Sequence, residues 1–178
     1  MASSFSTSLK LEKMTTGEKA GLWGTVTNTN LDLVEQAVGG YVELSLASGD
    51  QTPAISDGAA SDGRNKVIKL TGTLSANRSL IFPDSCEKTY LVIDGTTRSS
   101  SHYTITIKTS SGTGVAMPVG STMLVIVDGT NVITGITQKG YVTTTSAYTA
   151  VNGDQVIVDT SAAAVTVTLP ASPAVGNE

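Results

Sequence analysis

The sequence predicts a mainly β protein, in which an N-terminal arm and a short α-helix precede an antiparallel β-sandwich of jelly-roll type and the beginning of a second β module. Two observations favour this class. The chain is rich in Thr, Ser and Val and holds 18 glycines, whereas aromatic residues make up only 4%. Short alternating segments are also separated by turn signals at intervals of about 8–12 residues, the pattern of sandwiches rather than βαβ units.

Charge and cysteine content exclude several classes of function. The formal net charge of −4 and the sequence pI of about 4.9 do not favour a nucleic-acid partner. A single cysteine, Cys86, cannot form an intramolecular disulfide and is expected to be a small buried side chain. The sequence contains no run of about 18 apolar residues, so we expect no insertion into a membrane. We expect the protein to be made in a cytoplasm.

The first predicted domain, residues 1–40, combines an arm with the only segment of clear helical period. In residues 1–20, Leu9 and Leu11 alternate with charged residues, which is a weak strand signal. Such an arm is either disordered alone or ordered by pairing with something else. The helix lies within 21–39, with Thr29 or Asn30 as its expected cap and Gly39 or Gly40 as its end.

The predicted helix is about ten residues long, too short to be stable without burial. Two interpretations of its apolar side chains are open. Trp23 and the helix either cover the core of their own domain, or the arm, Trp23 and the helix are buried against other subunits. We favour the second because the segment precedes a self-contained β region. The candidate residues for docking and trimerisation are Leu22, Trp23, Leu31, Leu33, Val34 and Val38.

The second predicted domain, residues 41–149, is the β-sandwich. Its first strand, 41–47, alternates with Val42, Leu44 and Leu46 on one face. A loop over 48–64 follows. Asp128-Gly129 predicts a tight hairpin, and Asn152-Gly153 predicts another. Further strands are predicted at 66–73, 78–82, 89–94, 102–108, 122–127, 131–136, 141–146, 155–159 and 164–169.

The third predicted domain, residues 150–178, repeats a pattern of strands and turns found earlier in the chain. Residues 66–83 read as strand, small-residue turn, strand and proline, and residues 155–170 read the same way. An isolated hairpin is marginal in water. We therefore expect 150–178 to be the beginning of a further β module, or a hairpin that pairs with other chains.

The residues that could carry chemistry are scattered. His102 is the only histidine, it stands at the start of a predicted strand, and no nucleophile-elbow motif accompanies the serines. The metal-ligand spacings of zinc or EF-hand sites are missing. Five tyrosines are expected to be half-buried strand residues, with sugar stacking as the alternative: Tyr41, Tyr90, Tyr103, Tyr141 and Tyr148. We expect no enzyme activity, no cofactor and no metal.

Three groups of residues carry a resemblance to a known family. TTGEKAGLWG at 15–24, continuing to NTNLD at 28–32, resembles the N-terminal region of fibre-type virion proteins of tailed bacteriophages, especially marine ones. LTGTLSANR at 70–78, TITIKT at 104–109 and VIVDGTNV at 125–132 are similar to a β module of phage tail and appendage fibres. Residues 151–176, with LPASP at 169–173, resemble the start of a shaft-like module.

The resemblance implies a homotrimeric fibre in the virion, attached to the particle by its N-terminal end. Its expected partners are two further copies of itself and a tail adaptor, nozzle, portal-neck or capsid protein. A distal part of such a fibre would contact a host surface glycan. The alternative is a carbohydrate- or receptor-binding module used in host adsorption.

Overall fold

The computed structural model describes residues 3–100, 102–139, 141–150 and 154–169. The chain divides into two compact units, Met1–Thr137 and Gln138–Glu178. The fold is mainly β with several sheets, as predicted. In chain order, the described elements of the first unit are β1 (Ser4–Phe5), β2 (Glu12–Lys13), α1 (Trp23–Gly39), β3 (Tyr41–Ser45), a 3₁₀ turn (Asp62–Arg64), β4 (Val67–Thr71), β5 (Thr73–Leu74), β6 (Arg78–Phe82), β7 (Glu87–Asp94), β8 (Thr97–Arg98), β9 (Ile105–Thr109), β10 (Val115–Met117), β11 (Ser121–Asp128) and β12 (Val132–Lys139). The last strand of the first unit, β12, extends past its boundary at Thr137.

The centre of the first unit is a stack of parallel coils. Strands β4, β5 and β6 form one coil and β7, β8 and β9 the next, and each strand pairs in parallel with its counterpart in the other coil. Strand β3 pairs in parallel with β4, and an isolated parallel bridge joins Gln51 to Leu80. A partial coil therefore precedes the two complete ones, as in a short β-solenoid.

Antiparallel strands complete the two larger sheets. Strand β11 pairs antiparallel with β7, and the five-stranded sheet has the order β12-β11-β7-β4-β3. Strand β10 pairs antiparallel with β9 in a sheet of order β10-β9-β6. The predicted hairpin at Asp128-Gly129 is confirmed, because Gly129 has φ +91° and the Asp128 carboxylate accepts hydrogen bonds from the backbone of Thr130 and Asn131.

The antiparallel jelly-roll prediction is wrong for the coil strands. A jelly roll is an antiparallel architecture, whereas β3 to β9 stack in parallel. The reason lies in the corners of each coil. Only Gly72, with φ +93°, separates β4 from β5, and its backbone turns the chain onto the next face of the coil. A hairpin reversal would commonly need two loop residues.

One hydrophobic core joins the sheets of the first unit. Cys86 is also buried, as expected. Alternation along β4, β7, β9 and β11 sends every second side chain inward, which is the pattern of half-buried strands. The core consists of Leu44, Leu46, Ile68, Leu70, Leu74, Leu80, Phe82, Tyr90, Val92, Ile105, Ile107, Met117, Met123, Val125, Val127 and Val132.

The second unit also contains parallel pairs. Its strands are β13 (Tyr141–Thr144), β14 (Tyr148–Thr149), β15 (Gln155–Val158) and β16 (Val167–Thr168). Strand β13 pairs with β15 and β14 with β16. Within 141–150 and 154–169 no residue is buried. The Asn152-Gly153 hairpin and most of the LPASP segment lie outside the described residues.

Candidate docking surface on the N-terminal helix

The helix α1 is longer than predicted and begins earlier. It runs for 17 residues from Trp23, so the expected caps Thr29 and Asn30 lie inside it, and Leu22 precedes it without a side-chain cap. Gly, Thr and Asn are weak helix formers, which is why the sequence favours a later start. Burial of Val26 overrides that propensity.

Three side chains seat α1 on its own unit. Val26, Leu33 and Ala37 are buried, at spacings of seven and four residues that place them on one side of a helix. On the same side, the Gln36 amide donates to the Ser61 carbonyl at 3.2 Å. The interpretation that the helix covers its own domain is therefore correct for this side of α1.

The end of the helix follows the prediction. Gly40 donates its backbone N–H to the Gln36 carbonyl at 2.9 Å and then continues in extended conformation into β3. A Cβ at Gly40 would lie 2.3 Å from the Gln36 oxygen and 2.4 Å from Asn65 Oδ1. Close approach of backbone and side chain, not a left-handed φ, therefore requires glycine here.

The arm is ordered against its own unit. The Asn30 side chain accepts from the Glu12 backbone N–H at 3.0 Å and donates to the Glu12 carbonyl at 2.8 Å. Lys19 forms an ion pair with Glu12 at 2.8 Å, and this hydrogen bond lowers the pKa of Glu12 and raises that of Lys19. Earlier in the arm, the Lys10 carbonyl accepts a hydrogen bond from the Gly58 backbone N–H at 2.8 Å.

Asn30 is a positioning residue that the sequence pattern does not identify. The pattern predicts it as a helix cap, whereas in the structure it binds strand β2 from the middle of α1. Its position four residues after Val26 and three before Leu33 places it on the buried side. That spacing was the available signal, since a polar residue on a buried side needs hydrogen-bond partners.

A second apolar stripe of α1 faces solvent. Val34 and Val38 lie four residues apart, and Trp23 and Leu31 lie on the same side of the helix. Five of the six candidate docking residues are thus at the surface, whereas Leu33 belongs to the buried side and is only 3% exposed. The exposed fractions are 56% for Leu22, 65% for Trp23, 61% for Leu31, 37% for Val34 and 72% for Val38.

Acidic side chains border this stripe. Asp32 and Glu35 are both exposed and are the only charged residues between 20 and 40. They line a shallow hollow of about 350 Å³ together with Gln36, Gly39 and Gly40. The surface of α1 therefore offers an apolar strip with one acidic margin.

The other candidate positions do not come together as a site. His102 is exposed and contacts Ser100 at 3.2 Å through Nδ1. Tyr90 is buried and donates to the Gly63 carbonyl, whereas Tyr41 and Tyr141 are exposed. In the described part of the chain, no group of three or more His, Cys, Asp or Glu side chains could hold a metal ion.

A membrane-spanning helix is likewise not found among the described residues, because α1 does not meet the length and hydropathy that a span requires. The chain matches no protein-family model, no curated protein and no solved structure at a significant level.

Proposed function

We propose that this chain is a virion structural protein, the N-terminal anchoring part of a trimeric phage fibre that docks through residues 1–40. The observation that carries the proposal is the exposed apolar stripe of α1 on a helix that is otherwise firmly seated. Leu22, Trp23, Leu31 and Val38 each leave more than half of their surface in water. Contiguous exposed apolar patches of this kind are typical of protein interaction surfaces.

The fixed position of α1 on its own unit favours a docking role for its exposed stripe. Because Val26, Leu33 and the Asn30 hydrogen bonds already fix the helix, a partner does not have to order it on binding. Binding to a preorganised surface avoids part of the entropy cost of association. Three copies of one weak contact then give an avidity that a single arm lacks.

The proposal is tested with the full chain and one substitution on the stripe. Trp23→Ser removes the largest exposed side chain without touching the buried side of α1. We expect normal folding by circular dichroism and at least a tenfold loss of incorporation into phage particles. Thr25→Ser is the matched control, because Thr25 is exposed on the side of the helix away from the stripe. Unchanged incorporation of Trp23→Ser, together with a monomeric wild-type chain, contradicts the proposal.

A carbohydrate-binding module is the second candidate, and one exposed tyrosine favours it. Tyr41 donates to Glu43 Oε1 at 2.5 Å, and Lys69 donates to the same oxygen at 3.1 Å. An aromatic ring beside hydrogen-bonding charges can stack on the apolar face of a sugar ring while the charges bind its hydroxyl groups. A glycan array should then show binding by the wild-type chain that is lost in Tyr41→Ala. An array without any bound glycan excludes this candidate.

A further inference from the structure

The exposed stripe of α1 follows a heptad. With Leu31 and Val38 at a positions, Thr27 and Val34 fall at d positions, so the stripe advances by four, three and four residues. This spacing is the seam of a left-handed coiled coil, in which each side chain packs into a hole on a neighbouring helix. The buried side of α1 occupies other heptad positions, c for Val26 and Leu33 and g for Ala37.

We propose that the partner on this stripe is α1 of two further copies of the chain, in a parallel three-helix seam with Leu31, Val34 and Val38 in its core. The three-fold order rests on the proposed function. The inference assigns the stripe to contact between copies of the chain and leaves the contact with the particle to the rest of residues 1–40.

The charges of α1 fit contact between like copies. In a parallel seam, e positions of one helix face g positions of the next. The e positions are Asn28 and Glu35, and the g positions are Trp23, Asn30 and Ala37. No two acidic side chains face each other in this arrangement, and Asp32, at position b, points away from the axis. A homotypic contact therefore brings no like-charge repulsion to the seam.

The exposed area also fits. From their exposed fractions, Trp23, Leu31, Val34 and Val38 present on the order of 400 Å² of apolar surface per copy, against about 800 Å² buried per partner in a standard specific interface. The stripe would supply about half of such an interface. A patch of this size is comparable with the largest apolar patch of a typical monomer, which is often an interaction site.

The side chains at d positions disfavour a dimer. Parallel dimers prefer β-branched residues at a and Leu at d, whereas α1 has Leu31 and Val38 at a and the β-branched Thr27 and Val34 at d, so no Leu stands at d. Leu at a with Ile at d shifts the preference towards three or four helices, and Leu31 followed by the β-branched Val34 resembles that pairing. Of these orders, three is the one that the proposed fibre requires.

The first test is the molar mass of the full chain, measured by size-exclusion chromatography with light scattering. We expect a trimer for the wild type and a monomer for the double variant Leu31→Asn with Val38→Asn. Asp32→Asn, on the outward side, should remain a trimer. Circular dichroism checks that the double variant keeps its fold.

The second test uses cysteine cross-linking, which does not depend on complete dissociation. Val38→Cys lies near one end of α1, so oxidation should give linked pairs of chains only if the helices run parallel. Asp32→Cys is the control and should link at least fivefold less. The native Cys86 is buried and does not interfere.

The outcomes separate this inference from the proposed function. A trimer that persists in the double variant and does not link through Val38→Cys overturns the seam and leaves the fibre proposal standing. A double variant that stays trimeric but no longer enters particles assigns the stripe to a particle protein instead. A monomeric wild-type chain overturns both proposals.

Discussion

At the scale of single residues, Asp94 shows how a polar group is accommodated at the end of a core strand. Its carboxylate accepts from the Thr96 backbone at 3.0 Å, from the Gly120 backbone at 2.9 Å and from Arg98 Nη2 at 2.9 Å. The side chain is fully buried and that of Arg98 is 5% exposed. These contacts tie the corner after β7 to the turn before β11.

Asp94→Ala should lower the free energy of unfolding by about 3–5 kcal/mol, because it leaves the Arg98 charge buried without its partner. Burial alone would raise the pKa of Asp94, but hydrogen bonds from Thr96, Gly120 and Arg98 outweigh it and hold the pKa below 3.8. The contribution of Asp94 is therefore present above pH 3.8 and lost as the pH falls through the folded-state pKa.

Urea unfolding at neutral and acidic pH measures both effects. Asp57→Ala is the control, because Asp57 is exposed and such a surface substitution should change stability by about 0.5 kcal/mol or less. Equal loss in the two variants at neutral pH would show that the buried pair does not stabilise the corner.

Lys88 is a half-buried charge near the start of β7. Its ammonium group donates to the Arg64 carbonyl and, at 2.7 Å, to the Asn65 carbonyl, and it lies 4.2 Å from the centre of the Tyr90 ring. Burial lowers the pKa of Lys88 from 10.5 to about 8, and the charges of Lys66 and Arg64 add to the shift.

Between pH 8 and pH 10.5, the unfolded chain binds more protons at Lys88 than the folded chain does. The free energy of unfolding should therefore rise with pH across this window as far as Lys88 is concerned. The difference between wild type and Lys88→Met isolates this contribution in urea unfolding at several pH values. Lys13→Met, at an exposed lysine, is the control for the loss of one surface charge. If the free energies of unfolding of the wild type and Lys88→Met changed with pH in the same way, the lowered pKa of Lys88 would be refuted.

At the scale of elements, the junction of α1 and β3 depends on two adjacent glycines with different requirements. Gly39 is the last helical residue, and a Cβ there would meet nothing within 4 Å. Gly40 has backbone and side-chain oxygens within 2.4 Å of the place where a Cβ would stand. The pair allows a matched experiment one residue apart.

Gly40→Ala should lower the free energy of unfolding by about 1–3 kcal/mol, since the helix end must move to relieve the overlap. Gly39→Ala should leave stability unchanged or raise it by up to about 1 kcal/mol, because alanine favours the helix. Thermal and urea unfolding measure the stability of the two variants against that of the wild type. Similar stability of both would mean that the junction tolerates a side chain at Gly40.

The elements themselves were largely predictable. Each of the ten strand ranges expected from alternation contains a strand, because half-buried strands reveal themselves through their period of two. The strands that the alternation did not identify, such as β5, β8 and β10, have two or three residues each and are too short to show a period. The start of α1 was not predictable, since it depends on the tertiary burial of Val26.

The candidate docking surface was predicted in composition but not in orientation. A stripe containing Leu31, Leu33 and Val34 together has no single inward side, and only the folded unit decides which side is covered. Leu33 turned inward with Val26 and Ala37, and Leu31 and Val34 remained outside. Periodicity identifies a helix with two apolar sides, whereas packing against the rest of the unit decides which side is buried and which is exposed.

At the scale of the whole molecule, the parallel coils were not predicted. Strand alternation shows which side chains point inward, but it does not show whether the next strand along the chain is also the next strand in the sheet. In this chain, β4 pairs with β3 and β7, both distant in sequence. Loop composition predicted reversals where the chain instead turns a corner.

The two units differ in how much they bury. The first has a continuous core, whereas the described residues of the second are all at least partly exposed. Apolar burial is the main term that opposes local opening. The second unit should therefore open far more readily than the first.

Hydrogen–deuterium exchange of the full chain measures this difference. Backbone amides of Tyr141–Thr144 and Gln155–Val158 should exchange at least a hundredfold faster than those of the buried strand β7. Equal protection in both units would show that the second unit gains burial from other copies in the assembled state.

The stacked coils also bear on how a gene for such a chain can change length. Val67 pairs with Leu91 and Thr73 with Thr97, so one coil corresponds to a repeat of about 24 residues, within the usual range of repeat proteins. Duplication of one such segment would add a rung whose inward side chains meet similar neighbours above and below. Extra residues can be accommodated between strands, since Arg78 pairs with Ile105, 27 residues further on, whereas an insertion within a strand would shift its register. Evolution can therefore lengthen this fold in whole rungs by unequal recombination, without redesigning its core.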